Sequence, residues 1–141
     1  MIVLDTNVIS ELMRKDAAAD VVAWVDRHPG DQVFITAVTA AELLYGVTRL
    51  PNGRRKQVLA VKVRDLIDED FEDQVLPFSS DSAHHYAEIV ASRERIGKPI
   101  SMADAQIAAI CRQYDLALGT RNTKDFADTG VRVLNPWGDM R

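Results

Sequence analysis

The sequence contains a single cysteine, Cys111, so it cannot form an intrachain disulfide bond. No apolar run approaches the roughly 20 residues that a bilayer-spanning helix requires, and we therefore expect no membrane association. The first residues lack a basic segment followed by a long apolar one, so we expect no signal peptide. Together with the lone cysteine, these absences favour a protein of the reducing cytoplasm.

The sequence also lacks an excess of positive charge, since its formal net charge is −4. An acidic protein has no general attraction for a polyanion, so nucleic-acid binding would have to depend on local basic patches or metal ions. The apolar content, 47% of 141 residues, is enough for one domain with a sizeable core. No repeat, low-complexity segment or linker divides the chain, so we expect one domain over 1–141 with a loose tail after Trp137.

Strands and helices alternate along the sequence. The predicted strands are short β-branched or aliphatic runs at 2–4, 32–36, 74–78, 116–120 and 131–134. The predicted helices are a segment after the strand at 2–4, with Thr6 as its N-cap, and residues 20–28, 37–50, 54–71, 80–96, 101–114 and 123–128. This alternation predicts an α/β fold with a central parallel sheet of about five strands flanked by helices. The turn Pro51-Asn52-Gly53 adds a protruding helical hairpin.

Four acidic residues from distant parts of the chain are predicted to meet at one edge of this sheet. Asp5 follows the first strand directly, and Glu42 lies in the second turn of the helix after the second strand. Asp104 lies in the first turn of a helix that runs back to the fourth strand, and Asp125 follows the end of that strand. Because ligands of parallel sheets bind beyond the carboxyl ends of the strands, we expect these acids to face one crevice.

Each acid also has a purely structural interpretation. Asp104 and Asp125 complete the segments SMAD and NTKD, which resemble capping boxes at helix starts. Glu42 is ordinary for an exposed helix face, and Asp5 could simply accept hydrogen bonds from nearby backbone amides. Asp104, however, lies on the same helical stripe as Cys111, which we expect to be a small core residue. The carboxylate of Asp104 is therefore predicted to face inward.

A cluster of carboxylates at this edge would suit a hard divalent cation. Neighbouring carboxylates raise one another's pKa unless a cation lies among them. A set of oxygen ligands without nitrogen or sulfur favours Mg²⁺ or Mn²⁺ over Zn²⁺, with water completing the coordination shell. Such an ion can activate water and stabilise charge on a phosphoryl oxygen, so hydrolysis of a phosphodiester is the chemistry this cluster predicts.

Four segments of the sequence, taken in order, resemble the signature segments of the PIN domain: LDTNVISEL, TAVTAAELLYGV, SMADAQIAAIC and LGTRNTKDF. Over essentially its whole length the chain resembles the ribonuclease toxins of VapBC-type toxin–antitoxin pairs, including the FitB-like branch. The resemblance implies a Mg²⁺- or Mn²⁺-dependent endoribonuclease that hydrolyses RNA with a metal-activated water. It also implies a homodimer, and a VapB- or FitA-like antitoxin whose carboxyl-terminal segment docks in a groove and often brings an arginine to the acids.

The resemblance assigns roles residue by residue. The family's metal-binding acids are matched by Asp5, Glu42 and Asp104. The positions that orient ligands or water are matched by Thr6, Asn7 and Thr120. Some FitB-like members carry an acid where this chain has Asn122, so we assign the fourth acidic position to Asp125 and a supporting role to Asn122, which leaves one or two metal ions open. Arg121 and Lys124 would contact an RNA phosphate, the alternative being that both are solvated surface residues.

Other functional classes stay open on the sequence alone. A PIN-fold binding module without turnover would carry the same acids, and a DNA-directed PIN-like nuclease would use the same chemistry. A receiver-type phosphoacceptor domain is a poorer match, because its third strand ends in an aspartate and the predicted third strand here ends in Pro77-Phe78-Ser79. The basic run 54–56 opens a helix where positive charge opposes the helix dipole, which favours contact with RNA or with an acid of the antitoxin.

Overall fold

The fold, a computed structural model describing residues 1–138, is built around a five-stranded sheet. The strands are β1 (Ile2–Leu4), β2 (Val33–Thr36), β3 (Val75–Leu76), β4 (Ala117–Gly119) and β5 (Val133–Leu134). They are all parallel and lie in the order β3-β2-β1-β4-β5. Ile2 of the central strand pairs with Val33 on one side and with Ala117 on the other. The residue after β1 therefore lies at the middle of the carboxyl edge.

Six α-helices are described: α1 (Thr6–Leu12), α2 (Ala19–Asp26), α3 (Ala37–Thr48), α4 (Arg54–Asp65), α5 (Ser80–Arg95) and α6 (Met102–Tyr114). Short 3-10 turns cover Gly30–Gln32 and Thr123–Phe126, and a π-helical turn covers Leu66–Asp70. Within residues 1–138, none of the helices has the length and apolar character that a bilayer crossing demands.

The core has two parts, one on each face of the sheet. Ile2 and Leu4 belong to one buried cluster and Val3 to the other, as expected for a strand covered on both sides. The stripe of α6 that contains Cys111 packs into the same cluster as Val3. Burial raises the pKa of the Cys111 thiol, so this cysteine is an unreactive core residue, as the sequence indicates.

The predicted α/β architecture, the parallel sheet and the helical hairpin formed by α3 and α4 are confirmed. β1 has the predicted bounds, and the other four strands are shorter than predicted; β3, for example, stops before Pro77, which has no N–H for the ladder. The predicted helix 54–71 is α-helical to Asp65 and then widens into the π-helical turn. The predicted tail after Trp137 falls on 139–141, outside the described residues.

The assignment of Thr6 as the N-cap of the first helix is wrong. Thr6 is already the first helical residue, and Asp5 is the N-cap, with Oδ1 accepting a hydrogen bond from Thr6 N at 2.8 Å. The shift follows from the end of β1, because Asp5 N donates to Gly119 O at 2.9 Å while the Asp5 carbonyl already accepts the first helical bonds. The sheet thus passes into α1 without a loop.

Candidate active site

A cavity of about 510 Å³ opens at the carboxyl edge of the sheet. It is lined by three of the four acids that the sequence predicts to converge, namely Asp5, Glu42 and Asp104. The other lining residues are Thr6, Asn7, Ser10, Glu11, Arg14, Arg121, Asn122 and Trp137. The fourth predicted acid, Asp125, is not part of the lining.

Asp5 is held by three hydrogen bonds and is only 5% exposed. Besides the bond from Thr6 N, its Oδ2 accepts from Thr120 Oγ1 at 2.7 Å and from Asn7 Nδ2 at 3.3 Å. Burial raises the pKa of Asp5, and the charges of Glu42 and Asp125 add to the rise, although the hydrogen bonds oppose it. Asp5 is therefore both a helix cap and a carboxylate whose charge is poorly compensated.

Asp104 lies in the first turn of α6, on the face that the sequence predicts to point inward, and is half-buried. Ser101 is the N-cap, and its Oγ accepts from Asp104 N at 3.2 Å. This is one half of a capping box, so the backbone of Asp104 completes the cap and its carboxylate still faces the cavity. Burial and the charge of Asp5 raise the pKa of Asp104 to about 6, with smaller contributions from Asp125 and Glu42.

Glu42 is exposed on α3 but is fixed by α1, because Thr6 Oγ1 donates to Glu42 Oε1 at 2.5 Å. Thr6 Oγ1 also lies 3.0 Å from Oγ1 of the buried Thr39. Thr36, fully buried, caps α3 by accepting from Thr39 N at 3.1 Å. Sequence reasoning missed this pair of threonines, although a threonine at the predicted junction of strand and helix is a typical N-cap signal.

Thr120 joins the end of β4 to the cavity. Its hydroxyl donates to Asp5 and accepts from Asn7 Nδ2 at 3.2 Å and from Asn122 N at 3.1 Å. Asn7 Oδ1 in turn accepts from Arg121 N at 3.2 Å. The structure thus brings together the predicted supporting residues in one hydrogen-bonded network around Asp5.

Asp125 and Lys124 lie in the 3-10 turn after β4, and both are exposed. The capping box predicted for NTKD is wrong, because the Asn122 side chain makes no capping hydrogen bond. Asp125 nevertheless lies close enough for its charge to raise the pKa of Asp5 and of Asp104. Asn122 therefore lines the cavity, whereas Asp125 adds negative charge from outside its lining.

The buried Arg93 of α5, which sequence reasoning missed, holds the turn that carries Asp125. Its Nη1 donates to the carbonyls of Asp125 and Ala127 at 2.9 Å each, and its Nε donates to Lys98 O at 2.6 Å. The only signal in the sequence was a basic residue in the last turn of a helix, where arginine commonly interacts with the dipole instead.

Two basic residues that line the cavity have partners on the protein. The guanidinium of Arg121 lies over the Trp137 ring, 4.8 Å from its centroid. Arg14 forms an ion pair of 3.4 Å with the buried Glu11, whose other oxygen accepts from Ala18 N at 2.8 Å. Glu11, Arg14 and Trp137 carried no local sequence signal, because each is recognisable only by its position beside Asp5.

The donor set fits a hydrated hard cation. Every carboxylate, amide and hydroxyl group of the cavity offers oxygen to a metal, and none of its lining residues is histidine or cysteine. Within residues 1–138, no group of three or more acidic, histidine or cysteine side chains could hold an ion by itself. Mg²⁺ usually keeps several waters and is bound by one or two carboxylates, and two half-buried or buried carboxylates, those of Asp104 and Asp5, line this cavity.

A second, larger groove of about 940 Å³ lies between α1 and the hairpin of α3 and α4. It shares Thr6, Ser10, Arg14 and Glu42 with the acidic cavity, so the two are continuous. Its apolar lining comes mainly from Leu43, Val47, Leu50, Val58, Leu59 and Val63. Its basic residues are Arg14, Lys15, Arg49, Arg54 and Arg55.

Comparison with known proteins agrees with this geometry. The family model for the PIN domain matches residues 2–131. The chain is 42% identical to Toxin FitB of Neisseria gonorrhoeae, over 99% of this chain and 100% of that protein. It is 36% identical to VapC ribonuclease Y4jK of Sinorhizobium fredii, over 97% and 98% of the two chains. The solved structure of FitAcB from Neisseria gonorrhoeae superposes with a TM-score of 0.91 at 42% identity, covering 97% of this chain and 99% of that one. The chain belongs to the PIN domain family.

Proposed function

We propose that this protein is a Mg²⁺- or Mn²⁺-dependent endoribonuclease that acts as the toxin of a type II toxin–antitoxin pair. The observation that carries the proposal is the convergence of Asp5, Glu42 and Asp104, from three separate elements, on one cavity. Two of its relatives, Toxin FitB and VapC ribonuclease Y4jK, are named as a toxin and a ribonuclease, which supports the same class.

Asp5 and Asp104 would hold the ion, with Glu42 and Asp125 completing the acidic ring through water. The pKa values of Asp5 and Asp104 are both raised, which means that their negative charges are unfavourable in the metal-free site. A divalent cation would stabilise these charges. When bound, such an ion supplies a polarised water and offsets negative charge on the phosphoryl oxygens.

The chain's own residues prepare this chemistry. Thr120 and Asn7 fix the Asp5 carboxylate, and Thr6 fixes Glu42, so neither acid has to be ordered when RNA binds. One of the carboxylates of the cavity would accept the proton of the attacking water. Arg121 and Lys124 are the nearby exposed cations from the segment after β4 that would meet the RNA backbone.

The decisive experiment is cleavage of total cellular RNA by the purified protein without its partner, in Mg²⁺ or Mn²⁺ and in EDTA. Asp104→Asn should lower the cleavage rate about 100-fold or more, because it removes a charge that acts on the metal and the water. Asp81→Asn is the matched control, since it removes an exposed first-turn acid of α5.

Cleavage at the wild-type rate by folded Asp104→Asn would contradict the proposal. Binding of Mn²⁺ without cleavage of any RNA would instead support a PIN-fold binding module without turnover. Parallel reactions with single-stranded and duplex DNA distinguish a DNA-directed nuclease, which would cut DNA in preference to RNA.

We further propose that the antitoxin docks in the groove between α1 and the hairpin. The resemblance to VapBC-type toxins implies such a partner, and the lining favours a segment with apolar residues and some acidic ones. Continuity with the acidic cavity would let the same segment reach Asp5 and block RNA.

Leu59→Asp should weaken binding of the antitoxin, because it places a charge in the apolar lining of the groove. Ala60→Asp on the same helix is the control, since Ala60 is exposed and does not line the groove. Calorimetry with the purified antitoxin checks this, and equal affinities for the two variants would place the partner elsewhere.

A further inference from the structure

We propose that Trp137 and Arg121 form a stacking platform for one unpaired RNA base beside the phosphate to be cleaved. This inference rests on the proposed nuclease function and adds to it a binding site for the base next to the cleaved phosphate, formed by two residues of the cavity wall. The observation that carries it is the guanidinium of Arg121 over the Trp137 ring, 4.8 Å from the centroid, at the wall of the acidic cavity.

Both members of the platform are positioned by contacts with the rest of the protein. Trp137 is half-buried against the core cluster that contains Ile2 and Leu4, and its backbone N donates to Asn135 Oδ1 at 2.9 Å. Arg121 is fixed through its backbone N, which donates to Asn7 Oδ1 at 3.2 Å. The backbone of Arg121 therefore keeps a defined position relative to Asp5, because Asn7 also donates to Asp5, and its guanidinium lies over the Trp137 ring.

The chemistry of the pair fits a nucleobase. Indole and guanidinium planes both stack on bases, and an aromatic–base stack is worth about 1–3 kcal/mol in single-stranded nucleic acid. The volume of about 510 Å³ is of the size that encloses a small ligand, so it admits a nucleotide unit. A base within a duplex is already stacked and paired, and so cannot be presented to the platform without being unpaired.

The position of the platform separates it from the groove assigned to the antitoxin. Neither Trp137 nor Arg121 lines that groove, whereas both line the cavity that contains Asp5 and Asp104. A position beside the acids favours the nucleotide next to the cleaved phosphate as the occupant, and an antitoxin segment that enters the cavity is the alternative that the experiments distinguish.

Tryptophan fluorescence reports directly on the stack. In a Trp24→Phe background Trp137 is the sole tryptophan, since the chain has two. Titration with a short single-stranded RNA, 2′-O-methylated against cleavage, should quench its emission. The same RNA annealed to its complement should quench it far less.

Steady-state cleavage tests the role in binding. Trp137→Leu should raise KM about 10-fold with little change in kcat, since it removes a stacking surface and leaves the acids in place. Trp137→Phe keeps an aromatic face and should restore part of the loss, whereas Tyr114→Leu, at an exposed aromatic outside the cavity, should leave KM unchanged. With a substrate that carries an abasic nucleotide at the cleavage site, wild type and Trp137→Leu should have the same KM.

An unchanged KM in Trp137→Leu, with cleavage that still requires metal and Asp104, would overturn the platform and leave the nuclease intact. Weaker antitoxin binding with unaltered RNA parameters would also overturn it, because the tryptophan would then belong to the protein interface. Failure of the nuclease proposal itself would show as absent metal-dependent cleavage, while quenching by single-stranded RNA would still support the stack. Thermal unfolding of each variant identifies any that do not fold, and Trp137→Phe then carries the test.

Discussion

Asp5 combines two roles that the sequence presents as alternatives. Its Oδ1 caps α1, and its Oδ2 accepts from Thr120, a residue 115 positions away. A backbone amide and a hydroxyl satisfy the carboxylate without neutralising it, so burial still raises its pKa. A cap and a metal ligand are therefore compatible in one side chain, because the two functions use different properties of the same carboxylate.

Asp104→Asn should stabilise the metal-free protein at neutral pH. The pKa of Asp104 is raised from 3.8 to about 6, so its stabilising contribution is complete below pH about 4 and is lost as the pH rises through 6. Removing the ionisable group should therefore gain on the order of 1–2 kcal/mol at pH 7.5 and almost nothing at pH 4, after allowance for the lost helix-dipole interaction.

Urea unfolding in EDTA at the two pH values measures this difference directly. Asp81→Asn, the exposed first-turn control, should not share the gain at pH 7.5. A difference between Asp104→Asn and wild type that is the same at both pH values would contradict the argument. Added Mg²⁺ should stabilise wild type more than the variant, because binding to the folded state adds stability.

Thr120→Val should weaken metal binding without altering the volume of the side chain greatly. The valine removes the donor to Asp5 Oδ2 and leaves Asn7 and Asn122 without that acceptor, so the pKa of Asp5 should rise further. We expect a loss of about 10–100-fold in affinity for Mn²⁺, measured by calorimetry.

Thr129→Val is the control for Thr120→Val. Thr129 is also buried, and its hydroxyl donates to Phe126 O at 2.6 Å, outside the cavity lining. Both variants lose a buried hydroxyl, so both should cost stability, about 1–3 kcal/mol each. Equal Mn²⁺ affinities in the two variants would show that Thr120 does not support the acids.

At the scale of elements, the site is built on two junctions where a strand passes directly into a helix. Asp5 lies between β1 and α1, and Thr36 is both the last residue of β2 and the cap of α3. Because no loop intervenes, the orientation of Glu42 on α3 is set by the sheet. Such junctions give the precision that a metal site needs from rigid elements.

Gly119→Ala should test the packing behind the site. A Cβ at this position of β4 would lie 3.0 Å from Cη2 of the half-buried Trp24 and 3.4 Å from Cδ2 of the buried Leu4. We expect a loss of about 1–3 kcal/mol, because a ring held in the core has to shift. Chemical denaturation measures it.

Gly46→Ala makes the same chemical change inside α3, where a Cβ meets nothing within 4 Å. There alanine should stabilise the protein by about 0.5–1 kcal/mol through helix propensity. Changes in stability of the same sign in the two variants would mean that the contact with Trp24 does not determine the effect of Gly119→Ala.

At the scale of the whole molecule, the hairpin presents apolar side chains to solvent. Tyr45 is 67% exposed, and Leu44 and Val61 are close to half exposed. Scattered apolar residues are ordinary on a surface, but several on one hairpin are typical of an interface. We propose that the homodimer implied by the family resemblance forms through this hairpin.

Tyr45→Glu should therefore convert a dimer into a monomer at micromolar concentration, because burial of an unpaired charge at an interface is costly. Tyr114→Glu makes the same substitution at an exposed position at the end of α6 and should leave the dimer intact. Size-exclusion chromatography with light scattering measures both. A wild-type protein that is monomeric at this concentration would contradict the proposal.

Much of the site could be predicted because the sequence encodes it locally. A strand buried on both faces reads as an apolar run, and Asp5 follows that run at once. The helical stripe through Cys111 placed Asp104 on the inner face by periodicity alone. The rule that parallel strands end at one edge then brought Asp5, Glu42 and Asp104 together without any coordinates.

The sequence by itself therefore determined the α/β class, the parallel sheet and the three acids of the cavity. Only the tertiary structure decided which side chains support those acids: Thr39 beside Thr6, Arg93 beneath the turn of Asp125, and Trp137 under Arg121. Periodicity fixes the element of a residue and the face on which it lies. Contacts between elements depend instead on how far each element extends and how it packs against the others. The spacing of residues along the chain does not specify this packing.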